Sequence, residues 1–260
     1  MEKDIKNINK IFLEGDENIV IQDIENSTIT INKNNPEELK AFFGSFGDKI
    51  MNLEDIISGN KKEFAQLKAI LIEQYSKIKK AVMVVGTGAF NLPKNVYKSS
   101  VQIGKLLAEM NFELFVGGWE GVDYVVAEEF SKIINKTDFK LSDKLTQIVY
   151  RGKEPVFKGG QITYVEQGVM EWVEGLKTAK ALILIGGQGG TYETFLYAKQ
   201  EKVAVLPIAF PGGDAERIFN EISTDIDNYK YLKDCKNDFL KLENESFIDG
   251  LKNILNKIFQ

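Results

Sequence analysis

Residues 181–193 read Ala-Leu-Ile-Leu-Ile-Gly-Gly-Gln-Gly-Gly-Thr-Tyr-Glu, a short apolar run followed by a glycine-rich turn. A stretch with helical spacing begins directly after the turn. Short, wholly apolar strands are typical of parallel sheets that helices cover on both faces. The turn then lies at the carboxyl end of a strand and leads into a helix N-terminus, where free backbone N–H groups attract phosphate.

Two further turns repeat this pattern. Gly86-Thr87-Gly88 follows the apolar run 81–85, and residues 117–123, Gly-Gly-Trp-Glu-Gly-Val-Asp, follow the run 112–116. In an open parallel sheet such turns meet at the carboxyl edge, where ligands bind. Three glycine turns at one edge predict a site for a nucleotide-like ligand. The alternative is that the glycines serve only close backbone packing.

Composition excludes several kinds of chemistry. The 260 residues contain no histidine and one cysteine, Cys235, so histidine bases, Cys-His catalysis, internal disulfides and cysteine metal clusters are ruled out. We expect neither a metal nor a cofactor. Cys235 lies in a polar stretch and is expected at the surface. The net charge of −5 disfavours nucleic acid and anionic membranes as partners.

The chain is predicted to have four parts: a β-rich segment 1–35, a helical connector 36–79, a Rossmann-like domain 80–225, and a C-terminal helical extension 226–260. No apolar run is long enough for a membrane span, and the first residues lack the apolar core of a signal peptide, so a cytoplasmic protein is expected. In the Rossmann-like domain, strands are predicted at 81–85, 112–116, 145–150, 181–185 and 203–208, and helices at 94–110, 122–135, 165–178, 191–201 and 214–222.

The first 79 residues carry two different patterns. Ile11–Leu13, Ile19–Ile21 and Thr28–Asn32 predict short strands, the last with strict alternation of apolar and polar residues. Strands that are this short and this few are only marginally stable by themselves. They therefore either pair with copies of the chain or with a partner, or fold back on the main domain. Residues 62–79 predict an amphipathic packing helix. The last predicted helix, 246–259, is interpreted as a packing or dimer helix.

The glycine turns resemble those of a known superfamily. The turn at 117–123 is similar to the glycine-Ile-Asp turn of the DprA/Smf proteins, and 186–193 looks like the Gly-Gly-x-Gly-Thr-x-x-Glu motif of the LOG phosphoribohydrolases. Together these resemble the SLOG superfamily over about 81–222. The resemblance implies a Rossmann-like fold that binds nucleotides or their derivatives, preceded here by the β segment and connector helices.

Two departures separate the chain from the LOG hydrolases. Their Arg-Lys pair before the second motif is missing, because no basic residue lies between Lys158 and Lys177; Arg151 or Lys153 could replace it. The motif also fits in two registers. One places Glu193 on the catalytic glutamate and Gly190 on the family threonine, and the other matches Thr191 to the threonine but places Thr194 on the glutamate.

The stretch 206–213 is similar to the sensor domains of Thoeris-type anti-phage effectors, which bind a cyclic ADP-ribose derivative. Asp214 is predicted to cap the following helix, and Arg217 faces either a phosphate or solvent. Trp119 either stacks on a base or packs. Asp123 either holds a ribose hydroxyl or caps the helix behind it.

The resemblance favours a sensor of an ADP-ribose-like signal over an enzyme. Binding is expected to alter self-assembly through the β segment, which also offers a surface for a protein partner, in a bacterial defence or signalling system. The alternatives are a nucleotide N-glycosidase with Glu193 as the catalytic residue, and a DprA-like binder of single-stranded DNA, which the acidic balance opposes. The candidate ligand-binding residues are Gly86, Thr87, Gly88, Gly117, Gly118, Trp119, Gly121, Asp123, Arg151, Gly186, Gly187, Gln188, Gly189, Gly190, Thr191, Glu193 and Arg217.

Overall fold

The structure, a computed structural model, describes residues 8–14, 18–23, 28–32 and 80–259. The chain divides into two compact units, Met1–Lys79 and Lys80–Gln260. The predicted connector 36–79, with its amphipathic helix, lies outside the described residues. In the part that is described, no helix is both long and apolar enough to cross a membrane.

The first unit contains an antiparallel three-stranded meander. Its strands are β1 (Ile8–Glu14), β2 (Asn18–Asp23) and β3 (Thr28–Asn32), so all three predicted strands are confirmed. In the register, Ile19 is opposite Ile31 and Ile21 is opposite Ile29. Because directly opposite positions share a face of a sheet, these four positions lie on one side.

The second unit is an α/β Rossmann-like fold built on a parallel six-stranded sheet, in the order β7-β6-β5-β4-β8-β9. β8 and β9 are buried along their whole length, which explains their uninterrupted apolar sequences. The strands are β4 (Ala81–Gly86), β5 (Glu113–Val116), β6 (Leu145–Tyr150), β7 (Gln161–Val165), β8 (Ala181–Ile185) and β9 (Ala204–Ile208).

Helices connect these strands on both faces of the sheet. The chain first moves outward from β4 to β7 and then returns to β8 and β9 on the other side of β4. Because parallel crossovers are right-handed, the two directions place their helices on opposite faces. The helices are α1 (Lys94–Glu109), α2 (Val122–Ile134), α3 (Leu141–Lys144), α4 (Glu171–Leu176), α5 (Gly190–Gln200), α6 (Asp214–Thr224), α7 (Lys236–Leu240) and α8 (Ile248–Ile258).

The strand order reverses between β4 and β8. The chain leaves β4 towards α1, whereas it leaves β8 towards α5 on the opposite face. Because these two connections leave for opposite faces, a crevice opens outside the carboxyl ends of the two strands. Open α/β sheets bind ligands at this place. The turns that begin at Gly86 and Gly186 form the two sides of this crevice.

One predicted element is wrong. The stretch 165–178 was expected to be a single helix, but the structure places β7 just before it and confines α4 to Glu171–Leu176. Gly168 breaks the helical pattern with a φ of 95°. β7 was overlooked because it is an edge strand, and Ile162 and Tyr164 remain partly exposed, so no apolar run marks it.

The C-terminal segment packs onto the sheet domain. Apolar side chains of α8, including Leu251, Ile254 and Leu255, are fully buried, in agreement with a packing helix. The ring of Phe259 contacts Phe112 edge to face, with centroids 4.8 Å apart. Cys235, expected at the surface, is instead 4% exposed and belongs to the hydrophobic core, directly before the short α7.

Candidate functional site

Thr87 bridges the crevice at the point where the strand order reverses. Its hydroxyl accepts a 2.9 Å hydrogen bond from the backbone N–H of Gly187, on the opposite turn. Its own N–H donates to the carbonyl of Ile185 at 3.2 Å, and its carbonyl accepts from the N–H of Val122 at 3.0 Å. One residue therefore ties together all three glycine turns, and the role of Thr87 towards a ligand stays a prediction.

Most of the predicted glycines are required by close packing. A Cβ at Gly121 would overlap the carbonyl of Thr87, and a Cβ at Gly187 would overlap the side chain of Thr191. Gly121 and Gly187 also have φ values of 79° and 95°, which disfavour other residues. Similar close contacts with protein atoms surround Gly86, Gly117, Gly118 and Gly186.

Three predicted glycines are different. A Cβ at Gly88, Gly189 or Gly190 would meet no atom within 4 Å. Gly88 lies on the turn after β4, and the other two precede or begin α5 on the turn after β8. The crevice therefore has bare backbone on both of its sides, which permits close approach of a ligand.

A fourth loop closes against the second glycine turn. The N–H of Ala215 donates to the carbonyl of Gly186 at 2.9 Å, and that of Asp214 donates to the carbonyl of Gly187 at 3.1 Å. The predicted capping role of Asp214 is wrong, because Gly213 is the N-cap of α6 and no side chain caps that helix. The Asp214 carboxylate instead accepts from the N–H of Tyr192, in the first turn of α5, at 3.2 Å.

In the first turn of α5, side-chain exposure distinguishes the two alignments of the second motif. Thr194 is fully buried, and its hydroxyl donates to the carbonyl of Gly190 at 2.9 Å. Thr191 is also buried, beneath Gly187. Glu193 is exposed, as is Gln188 on the turn before it. Of the two positions that the alignments placed on the catalytic glutamate, only Glu193 presents its side chain to solvent.

Asp123 is buried beneath the turn that follows β5. Burial raises the pKa of its carboxyl to about 7, and the Glu171 and Glu120 carboxylates act in the same direction, while hydrogen bonds from the backbone N–H groups of Trp119 and Gly117 oppose it. No side chain caps α2, so the predicted capping role of Asp123 is wrong. Asp123 holds the turn from inside, and its role towards a ligand stays a prediction.

Trp119 packs at the mouth of this turn and is held by an acidic residue that the sequence did not single out. Its indole Nε1 donates to Glu171 Oε1 at 2.6 Å. The other carboxylate oxygen of Glu171 is buried with no hydrogen-bond partner among the described residues. Burial and the neighbouring Glu171 raise the pKa of the Tyr150 phenol to about 12. The position of Glu171 beside Trp119 depends on the loop before α4, a stretch for which the sequence predicts a helix.

The two predicted arginines lie at opposite ends of the site. Arg151 is exposed and forms a 2.7 Å ion pair with Glu166, across the ends of β6 and β7. The Arg217 guanidinium lies over the ring of Tyr192, with its central carbon 3.7 Å from the ring centroid. Their binding to phosphate stays a prediction. Within 80–259, no group of three or more acidic or cysteine side chains is arranged to hold a metal ion.

No family model matches the chain, and no curated protein matches it. Solved structures that resemble it include TM1055, at 23% identity and a TM-score of 0.45 over 54% of this chain and 81% of that one. The molybdenum cofactor carrier protein of Chlamydomonas reinhardtii is 16% identical, with a TM-score of 0.42 over 49% and 74% of the two chains. DNA processing protein A of Helicobacter pylori is 15% identical, with a TM-score of 0.43 over 58% and 75%.

At these identities and TM-scores the likeness concerns the fold alone. The similarity of residues 206–213 to Thoeris-type sensors stays a prediction.

The buried carboxyl of Asp123 predicts a pH dependence of stability. Because its pKa is raised from 3.8 to about 7, the folded state keeps a proton that the unfolded state releases between these values. The stabilisation is complete below about pH 4 and is lost as the pH rises through about 7. Between pH 5 and 8 we expect the free energy of unfolding to fall by on the order of 3 kcal/mol relative to Asp123→Asn.

Urea unfolding followed by circular dichroism at pH 5, 6, 7 and 8 measures this difference. The chain has no histidine, so no other side chain has an ordinary pKa inside the window. Parallel profiles for the wild type and Asp123→Asn would show that Asp123 does not titrate there.

Proposed function

We propose that the sheet domain binds a nucleotide-derived small molecule in the crevice between the turns after β4 and β8. The observation that carries the proposal is the open space over Gly88, Gly189 and Gly190, the three glycines of the motifs that the protein itself does not fill. A phosphate that approaches this bare backbone meets N–H groups and the positive end of the α5 dipole.

The class of ligand is proposed to be ADP-ribose-like. Gln188 and Glu193 are exposed on the same turn and can bind ribose hydroxyls or an amide. The resemblance of 206–213 to sensors of a cyclic ADP-ribose derivative supports the same class. A signal that binds here acts in a bacterial defence or signalling system, with the assembly of the chain as its output.

Gly88→Ala and Gly190→Ala test the crevice. Each adds a methyl group into open space at a position without a positive φ, so stability should be preserved while the ligand is kept away from the backbone. We expect ADP-ribose, AMP or NAD to bind the wild type and to bind each variant about tenfold more weakly or worse, which corresponds to about 1.4 kcal/mol. Isothermal titration calorimetry measures the affinities.

Ser142→Val is the matched control, because it enlarges an exposed residue of α3 that precedes β6, at the amino edge of the sheet. Its affinity should equal that of the wild type. Equal affinities of all three variants would remove the crevice as the site, and a wild type that binds none of the three compounds would overturn the proposed ligand class.

A second candidate function is hydrolysis of a nucleotide N-glycosidic bond. The exposure of Glu193, one turn from the open backbone of Gly189, favours it. If the protein is such an enzyme, AMP or NAD releases free base with sustained turnover, and Glu193→Ala abolishes the release while Glu201→Ala, at the other end of α5, does not. Chromatography of the reaction mixtures detects the free base. If the ligand binds but no base is released, only the sensor function remains.

Self-assembly through residues 1–35 is the proposed output. The strands β1–β3 place four isoleucine positions on one side, and an apolar face of a sheet must be buried against another layer, so we propose that copies pair through it. A variant that lacks residues 1–35 should keep its affinity for ADP-ribose and lose subunits in multi-angle light scattering. An unchanged number of subunits, with and without ligand, would exclude this role.

A further inference from the structure

The loop 151–160, between β6 and β7, is fastened to the glycine turn after β5. The N–H of Val156 donates to the carbonyl of Gly118 at 2.9 Å. The buried amide of Gln147 donates to the carbonyls of Phe157 and Gly159, at 3.0 and 2.7 Å. The loop is therefore held at both its middle and its end, and its first residues, which follow β6 directly, lie at the carboxyl edge of the sheet.

The first residues of this loop include two basic side chains, which contact different partners. Arg151 still follows the strand ladder, since its N–H donates to the carbonyl of Val165 at 2.8 Å, and its guanidinium pairs with Glu166. Lys153 lies one turn further on, where its N–H donates back to the carbonyl of Tyr150 at 3.0 Å. Its ammonium lies 4.4 Å from the ring centroid of Trp119 and 5.6 Å from that of Tyr150.

Lys153 has different partners from the ion-paired lysines of the domain. Lys158 pairs with Glu154, Lys177 with Glu174 and Lys199 with Glu221. Among the described residues, no carboxylate oxygen lies within 4.0 Å of the Lys153 ammonium, which rests on aromatic faces instead. A contact with a ring face positions a cation without neutralising its charge, so the ammonium keeps hydrogen-bond donors for an anion.

We propose that Lys153 binds a phosphate group of the ligand, with Trp119 as the platform that positions it. This inference rests on the proposed function and deepens it, because it specifies a phosphorylated ligand whose anionic group reaches the turn after β5. The lysine supplies the cation that the stretch between Lys158 and Lys177 lacks. An ammonium suits this task because it binds phosphate as a point charge from many directions.

The position of Trp119 provides the support for this role. Its indole is fixed by the hydrogen bond to Glu171, and its ring contacts Tyr150 edge to face, with centroids 6.3 Å apart. Lys153 therefore meets a ring that is already oriented. A charge-assisted hydrogen bond from it to phosphate contributes about 1.5–3 kcal/mol, which corresponds to a factor of about 10 to 100 in affinity.

Lys153→Gln, Lys153→Arg and Lys158→Gln test the assignment, with AMP and adenosine as a pair of probes that differ only in the phosphate. We expect Lys153→Gln to weaken AMP about tenfold or more and to leave adenosine within twofold. Lys153→Arg should retain AMP binding. Lys158→Gln removes the same charge from the same loop but at a lysine that is paired with Glu154, so AMP binding should change less than about threefold.

Trp119 gives a second readout. The chain has two tryptophans, so Trp172→Phe leaves Trp119 as the only one, and an anion that draws the ammonium away from its ring changes its emission. Titration of this variant with inorganic phosphate should change the fluorescence, and the additional substitution Lys153→Gln should abolish the change.

The outcomes separate the two proposals. Equal weakening of AMP and adenosine by Lys153→Gln, or equal effects of Lys153→Gln and Lys158→Gln on AMP, would overturn the role of Lys153 and leave the binding function standing. So would a change confined to the pH dependence of stability, because Lys153 would then only offset the carboxyls of Asp123 and Glu171. If the wild type binds neither probe and Trp119 does not respond to phosphate, both proposals fail.

Discussion

The hydrogen bond from the Gly187 N–H to the Thr87 hydroxyl is the interaction on which the carboxyl edge of the sheet depends. It crosses the place where the strand order reverses, so it joins two chain segments that leave for opposite faces of the sheet. The backbone of the same residue reaches the end of β8 and the start of α2. A single threonine thus sets the relative position of three turns, and with them the shape of the crevice.

The glycines around Thr87 have two separate purposes. Where turns meet backbone to backbone, as at Gly121 and Gly187, any Cβ would displace a neighbouring turn. Where the crevice is open, as at Gly88 and Gly190, a Cβ would be tolerated by the fold but would occupy the space available to a ligand. The steric explanation and the ligand-binding explanation are therefore both needed, for different members of the same motifs.

The electrostatics of the edge favour selective binding over general attraction of anions. The turn after β5 covers a buried carboxyl whose pKa is raised to about 7 by burial, beside Glu171. Lys153 lies on the ring of Trp119 and Arg217 on the ring of Tyr192, whereas Arg151 is paired with the Glu166 carboxylate. This arrangement fits the proposed small-molecule ligand better than single-stranded DNA, because an extended polyanion is bound by a row of cations along its backbone.

The sequence alone determined the fold class, five of the six parallel strands, and the three glycine turns, because buried parallel strands and their turns are local patterns. It did not determine β7, since an edge strand with exposed residues carries no apolar run. Nor did it determine the partners of Asp214, Trp119 and Lys153, which are Tyr192, Glu171 and two aromatic rings on other segments. Only the tertiary structure decided which glycines are packed and which are open, because that depends on distances between turns that lie far apart in the chain.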